Sequence, residues 1–198
     1  LLLAVGSLYS TDTLIEAKGA YFYPTSSLFR EIYSEGAVWG AEATFHTKGQ
    51  IYTWASGSFF IKKGHSIGLN DPTRIAFYPF GVGCKYLYPV KFMEFYAGAG
   101  ALGTYMQIHD HSPGIVQKTC GWGGGGILKG GLLLNCSNGL FFDLFTDYSF
   151  LYVPVAKHVA FETQTSNLSG WSGGAAMGYR FGTKAKTAKK QPPFSGRS

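Results

Sequence analysis

The stretch Gly170-Trp-Ser-Gly-Gly-Ala-Ala-Met-Gly-Tyr-Arg-Phe181 decides the fold. Read with a period of two, Trp171, Ala175, Met177, Tyr179 and Phe181 share one face, and Ser172, Gly174, Ala176, Gly178 and Arg180 share the other. One face is apolar with aromatic residues at both ends, and the other is small or charged. A strand of a soluble sheet has no reason to keep its rings for the rims. A strand that crosses a bilayer does, because amphipathic rings partition to the two membrane interfaces. The length also suits a tilted membrane strand, which needs roughly 9–11 residues.

Composition agrees. Charged residues make up 14% of the 198-residue chain, against roughly 25% in an ordinary soluble domain. Aromatic residues reach 17%, and there are 28 glycines. That mixture makes a poor water-facing surface and a good lipid-facing wall. The chain lacks an apolar run of the roughly 18 residues that a membrane helix requires. A protein of this composition that spans a bilayer must therefore satisfy its backbone as a closed barrel.

Working outward, seven more strand segments emerge: Thr13–Tyr23, Ala37–His46, Ile51–Lys62 (rich in aromatics, its facing ambiguous), Thr73–Tyr88, Phe92–Ile108, Trp122–Leu134 and Leu140–Tyr152. With 170–181 they make eight strands and leave no segment of helical period. Pro79 within the fourth points to a bulge or an early strand start. Asn138-Gly139 is a strong hairpin signal. The connections alternate between long and short, at about 13, 4, 10, 3, 13, 5 and 17 residues from the turn signals. Long loops at one end and tight turns at the other match bacterial outer-membrane barrels.

The charges inside the strands sharpen this. Glu16, Lys18, Glu42, Lys85, Lys129, Asp143, Asp147 and Arg180 each oppose an apolar face on their own strand. Four are positive and four negative, and an eight-stranded barrel is just wide enough for side chains to fill. They are expected to pair inside as a plug, with Glu16 a candidate partner for Arg180. A soluble barrel would reverse this polarity.

The span from Thr11 to Phe181 resembles the small bacterial outer-membrane β-barrel proteins of the OmpA transmembrane-domain and OmpX type. The resemblance is one of pattern: eight strands, long loops and inner charges. It implies an all-β, eight-stranded antiparallel up-and-down transmembrane barrel. Gly178-Tyr179-Arg180-Phe181 resembles the C-terminal strand signal of that class, with Tyr179 and Phe181 as the residues that barrel-assembly machinery would read. The resemblance also implies outer-membrane lipid and lipopolysaccharide as surroundings, and long extracellular loops that could meet a ligand or host surface.

Residues 1–10, Leu-Leu-Leu-Ala-Val-Gly-Ser-Leu-Tyr-Ser, read as the remnant of a secretory signal peptide. Residues 182–198 read as a basic, disordered periplasmic tail. Lys184, Lys186, Lys189, Lys190 and Arg197 account for 5 of the net +6 charge, so the basic balance belongs to the tail and says nothing about nucleic-acid binding by the folded part; no nucleic-acid partner is expected. Cys84, Cys120 and Cys136 are odd in number and fit no zinc spacing.

Other motifs carry less. Gly98-Ala-Gly-Ala-Leu-Gly103 matches a dinucleotide fingerprint, but more strand follows where a helix should open, so packing glycines are the better account. Gly123–Gly126 lacks the Gly-Lys-Ser/Thr of a phosphate loop, and space for Trp122 or relief of curvature explains it. His109-Asp110-His111 is too compact a set to hold a metal without further ligands. Ser149, Asp147 and His158 could form a hydrolytic set only by spatial accident. No catalytic residue, metal or cofactor is expected. A structural or surface-interaction role is the leading reading, with a small-solute channel and a lipid A-modifying enzyme as alternatives.

Overall fold

The computed structural model describes residues 12–65, 71–112, 115–156 and 163–182. Nine strands form in chain order: β1 (Asp12–Pro24), β2 (Gly36–Lys48), β3 (Ile51–His65), β4 (Pro72–Val90), β5 (Met93–Ser112), β6 (Ile115–Asn135), β7 (Leu140–Ala156), β8 (Thr163–Asn167) and β9 (Gly170–Gly182). Each of β1 to β7 pairs antiparallel with its sequence neighbour, β7 pairs β9, and β9 pairs β1 from Asp12↔Gly182 to Pro24↔Gly170. The sheet thus closes into an eight-stranded up-and-down barrel. The stretch 170–181 is its closing strand.

β8 is not a ninth stave of the wall. It pairs with β7 in the register that β9 keeps with the same strand, Tyr152↔Asn167 against Ser149↔Gly170. Between them the Leu168 N–H still donates to the Leu151 carbonyl at 2.8 Å. The eighth stave is broken at Leu168–Ser169 and extends beyond the barrel.

Four expectations require correction. The long polar connection after β1 contains a helix, α1 (Ser27–Tyr33). Ser26 caps it, its Oγ accepting from the Phe29 N–H, and Arg30 donates to the carbonyls of Pro24 and Thr25. Its seven residues are too few to show a helical period in the sequence. Second, His109–Gly121 is not a loop: β5 runs to Ser112 and β6 starts at Ile115, because the strands go on pairing up to Ser112↔Ile115. Third, part of the last expected loop, 153–169, belongs to β7 and β8. Fourth, Pro79 makes no bulge. Ser58, Phe59, Tyr78 and Pro79 drop out of the β3–β4 ladder, yet Gly57↔Phe80 and Phe60↔Phe77 keep one register. A proline removes a ladder donor without adding a residue, so the ladder breaks and does not slip. The turn at Asn138-Gly139 forms as expected, with φ of 65° and 83°.

The expected signal remnant at 1–10 lies outside the described residues, as does the expected tail from residue 183. His158 and the side chains of Asp110 and His111 lie outside them as well.

The outward face is apolar. Near the long connections it exposes Tyr21, Tyr23, Trp39, Phe59, Tyr78, Trp122, Phe150, Tyr152 and Trp171. Near the tight turns it exposes Tyr86, Tyr88, Phe92, Phe95, Phe142, Tyr179 and Phe181. Val82, Leu128 and Leu144 stand exposed between the two rings of aromatics. Two aromatic girdles around an apolar band are what a bilayer selects on a barrel wall.

Candidate functional site

The lumen is where the inward faces converge, and alternation places all eight sequence-predicted charges there. Glu16, Glu42, Lys85, Lys129, Asp143 and Asp147 are buried, and Lys18 and Arg180 partly so. Seven of them form one layer across the middle of the barrel, centred on Glu42. Its Oε1 accepts from Lys85 Nζ at 3.0 Å, and its Oε2 lies 2.9 Å from Lys129 Nζ and 3.4 Å from Lys18 Nζ. Since β2 and β6 stand four staves apart in a ring of eight, the Glu42–Lys129 pair spans the lumen. Lys129 also reaches Asp147 at 3.0 Å, its direct neighbour in the β6–β7 ladder. Lys18 lies 3.7 Å from Glu16, which the ladder sets opposite Glu42. Asp143 accepts from the Tyr96 hydroxyl at 2.8 Å.

Aromatic faces complete the layer. Lys18 lies over Phe145, Lys85 over Tyr96 and Lys129 over Trp54, at 3.9, 4.9 and 4.7 Å from the ring centroids. Trp54 is itself almost fully buried. It fits because Gly83 and Gly100 face it: a Cβ on either would lie 2.7 or 2.5 Å from its Cζ2. Within 98–103, then, Gly100 seats the indole, while Gly98 lies against Cys84 and Lys85 and Gly103 against the Phe80 ring, all inside continuous strand. Gly123 and Gly125 make room for β7, since a side chain at either would collide with the β7 backbone.

Arg180 sits apart from this layer, at the turn end. It donates to both carboxylate oxygens of Glu94, at 2.7 and 2.8 Å, and Asp12 lies 3.5 Å from its Nε. Tyr52 donates to Asp12 and Asn135 to Glu94. Glu16 is not its partner. Asp12, Tyr52, Glu94 and Asn135 were absent from the expected set, although Glu94 alternates in step with inward Tyr96 and its carboxylate could have been found that way.

At the loop end apolar side chains pack into the lumen. Phe22, Phe60, Phe77, Met106, Leu151 and Val153 form a cluster that Phe29 and Tyr33 of α1 enter from above. Phe60 and Phe77 stack at 4.8 Å, and the Tyr33 hydroxyl hydrogen-bonds Thr73 Oγ1. Between this roof and the charge layer lies a cavity of about 100 Å³, with Lys18, Glu42 and Lys129 below and Phe22, Phe77 and Leu151 above.

Among the described residues, two members of the candidate hydrolytic set are engaged elsewhere, and the third, His158, lies outside them. Asp147 is held by Lys129, and the Ser149 hydroxyl donates to the Gly170 carbonyl. Among the described residues no three potential ligands converge on a metal position. The three cysteines are unpaired and exposed.

No protein-family model matches the chain, and no curated protein matches it in sequence. Solved structures do match in shape. The outer membrane protein OprG of Pseudomonas aeruginosa aligns over 88% of this chain and 97% of its own, at 14% identity and a TM-score of 0.59. Outer Membrane Protein W of E. coli aligns over 88% and 100%, at 15% identity and a TM-score of 0.56. Neisserial surface protein A aligns over 85% and 97%, at 14% identity and a TM-score of 0.56. The fold of this chain is that of the small eight-stranded outer-membrane β-barrels.

Proposed function

We propose that the protein is an integral barrel of a bacterial outer membrane, with the long connections and α1 outside and the tight turns in the periplasm. Its role on this reading is structural or surface-interactive, with a lumen closed to solutes. The observation that supports it is side-chain packing into the lumen at three levels. The Arg180–Glu94 pair lies at the turn end, the Glu42-centred layer in the middle, and the aromatic roof under α1 at the loop end. An unpaired charge in such a space would be costly, whereas a paired and hydrogen-bonded set is tolerable. Outer-membrane lipid and lipopolysaccharide would meet the girdled wall. Barrel-assembly machinery would read Tyr179 and Phe181 on the closing strand, and loop residues would meet any extracellular ligand or host surface. No catalytic role is assigned to any residue.

The test combines two measurements. The chain in a membrane fraction should show heat-modifiable gel mobility, and the folded barrel in planar bilayers should conduct no steady current. Full solubility without detergent would defeat the membrane reading, and a stable open conductance would defeat the plug.

One feature favours a second reading, a path for a small solute. The internal cavity reaches Ser58 and Pro79, where the β3–β4 ladder is broken. Uptake of small solutes by liposomes bearing the protein would support it.

A further inference from the structure

At the loop end the outward-facing charges of the described strands fall, together with His109, into one row. Lys63 on β3 stands opposite Arg74 on β4, Arg74 opposite His109 on β5, and His109 opposite Lys118 on β6. All four alternate in step with the outward rings Phe59, Tyr78, Tyr105 and Trp122, which form a parallel row two rungs lower. Adjacent strands lie about 4.8 Å apart, so the row of bases spans about 14 Å along the wall. Around the rest of the barrel, β1, β7 and β9 put no charge on their outward faces, and β2 only Lys48 at the opposite, turn end.

The row has a floor. Arg74, Ala76, Tyr78, Gln107 and His109 line an open depression of about 290 Å³ on the outer wall. Ala76 is small enough to leave the space, with Arg74 and His109 above it and the Tyr78 ring below. None of the four bases forms an ion pair with a carboxylate among the described residues. Lys63 and Arg74, directly opposed like charges, repel one another. An anion lying across the row would relieve that repulsion. Positive charge also costs little at the interfacial depth where this row lies, above the aromatic girdle.

We propose that this row is a binding site for the headgroup of a phosphorylated glycolipid of the outer leaflet, one that carries at least two phosphates. Arg74 would take one phosphate through its planar fork, a geometry suited to paired oxygens. Lys63 and Lys118 would flank it as point charges. The sugar would lie over the depression, and the acyl chains would run down the wall past Tyr78, Tyr105 and Trp122. This rests on the outer-membrane reading and gives that reading a named lipid contact.

The test uses the full chain folded in detergent micelles, with native mass spectrometry to read the lipid retained. The probes are diphosphoryl lipid A, its dephosphorylated counterpart and phosphatidylglycerol. The wild type should retain the diphosphoryl lipid roughly tenfold better than either of the others, the loss expected when one hydrogen bond to a charged group is missing. The combined variant Lys63→Gln, Arg74→Gln, Lys118→Gln should lose that preference. Lys48→Gln with Lys91→Gln, at the far end, should keep it. If the triple variant does not fold, Arg74→Gln alone should reduce the preference. So should raising the ionic strength from about 0.01 to about 1 M, which shortens the screening length from about 30 to about 3 Å. Equal retention of the three lipids by a folded wild-type barrel would overturn the site alone. A chain that never gives the heat-modifiable form would instead overturn the membrane reading on which it stands.

Discussion

Arg180 on the closing strand and Glu94 on β5, 86 residues apart in sequence, are joined by two nearly parallel hydrogen bonds of 2.7 and 2.8 Å. The pair ties the last strand to the middle of the chain across the turn end of the lumen. A bidentate guanidinium–carboxylate contact adds geometric specificity as well as energy.

Glu94→Gln should therefore destabilise the folded barrel by about 1–2 kcal/mol. That is below the value for a fully buried pair, because both side chains keep some contact with water and Asp12 remains beside Arg180. Urea unfolding in lipid vesicles would measure it. No change in midpoint would show that the pair adds nothing to stability.

Removing the hub of the middle layer should cost more. Glu42→Gln leaves Lys18, Lys85 and Lys129 without their shared carboxylate, and breaking such a buried set costs about 3–5 kcal/mol. Reduced unfolding stability together with intermittent conductance in planar bilayers is the expected result. A variant as stable and as silent as the wild type would mean that water already compensates these lysines.

The outer wall offers a separate check. Leu128 stands exposed between the aromatic girdles. Leu128→Arg should destabilise a membrane-inserted barrel by about 2–4 kcal/mol, the cost of arginine on the lipid face at the bilayer midplane. The same change on a water-facing wall would be nearly neutral, so the unfolding midpoint distinguishes the two.

The cysteines report position. Cys84 projects outward between the girdles, and Cys136 lies in the tight turn between β6 and β7. A charged, water-soluble maleimide should label Cys136 and spare Cys84 in bilayers. Both should react once the barrel is unfolded. Rapid labelling of Cys84 in the folded, inserted protein would place that wall in water.

Alternation alone assigned the eight expected charges, from Glu16 to Arg180, to the lumen, because a side chain's face on a strand depends only on its parity. Composition and the aromatic rims likewise pointed to a closed wall. α1 escaped notice because seven residues carry no period, and a Ser cap with one arginine reads like any polar connection. The length of β5 and β6 escaped because their outer ends pair with each other, whatever the polarity of His109 or Lys118.

What the sequence by itself determined, then, was the class of fold and the inward face of the eight expected charges, since both follow from local alternation and the need to satisfy backbone groups. Which charges meet was decided only by the tertiary structure. Arg180 finds Glu94 and not Glu16, Lys129 reaches across to Glu42, and Lys63, Arg74, His109 and Lys118 line up in one row. Those pairings depend on the register of each ladder and on how the closed barrel staggers its strands, and neither is written into any one strand.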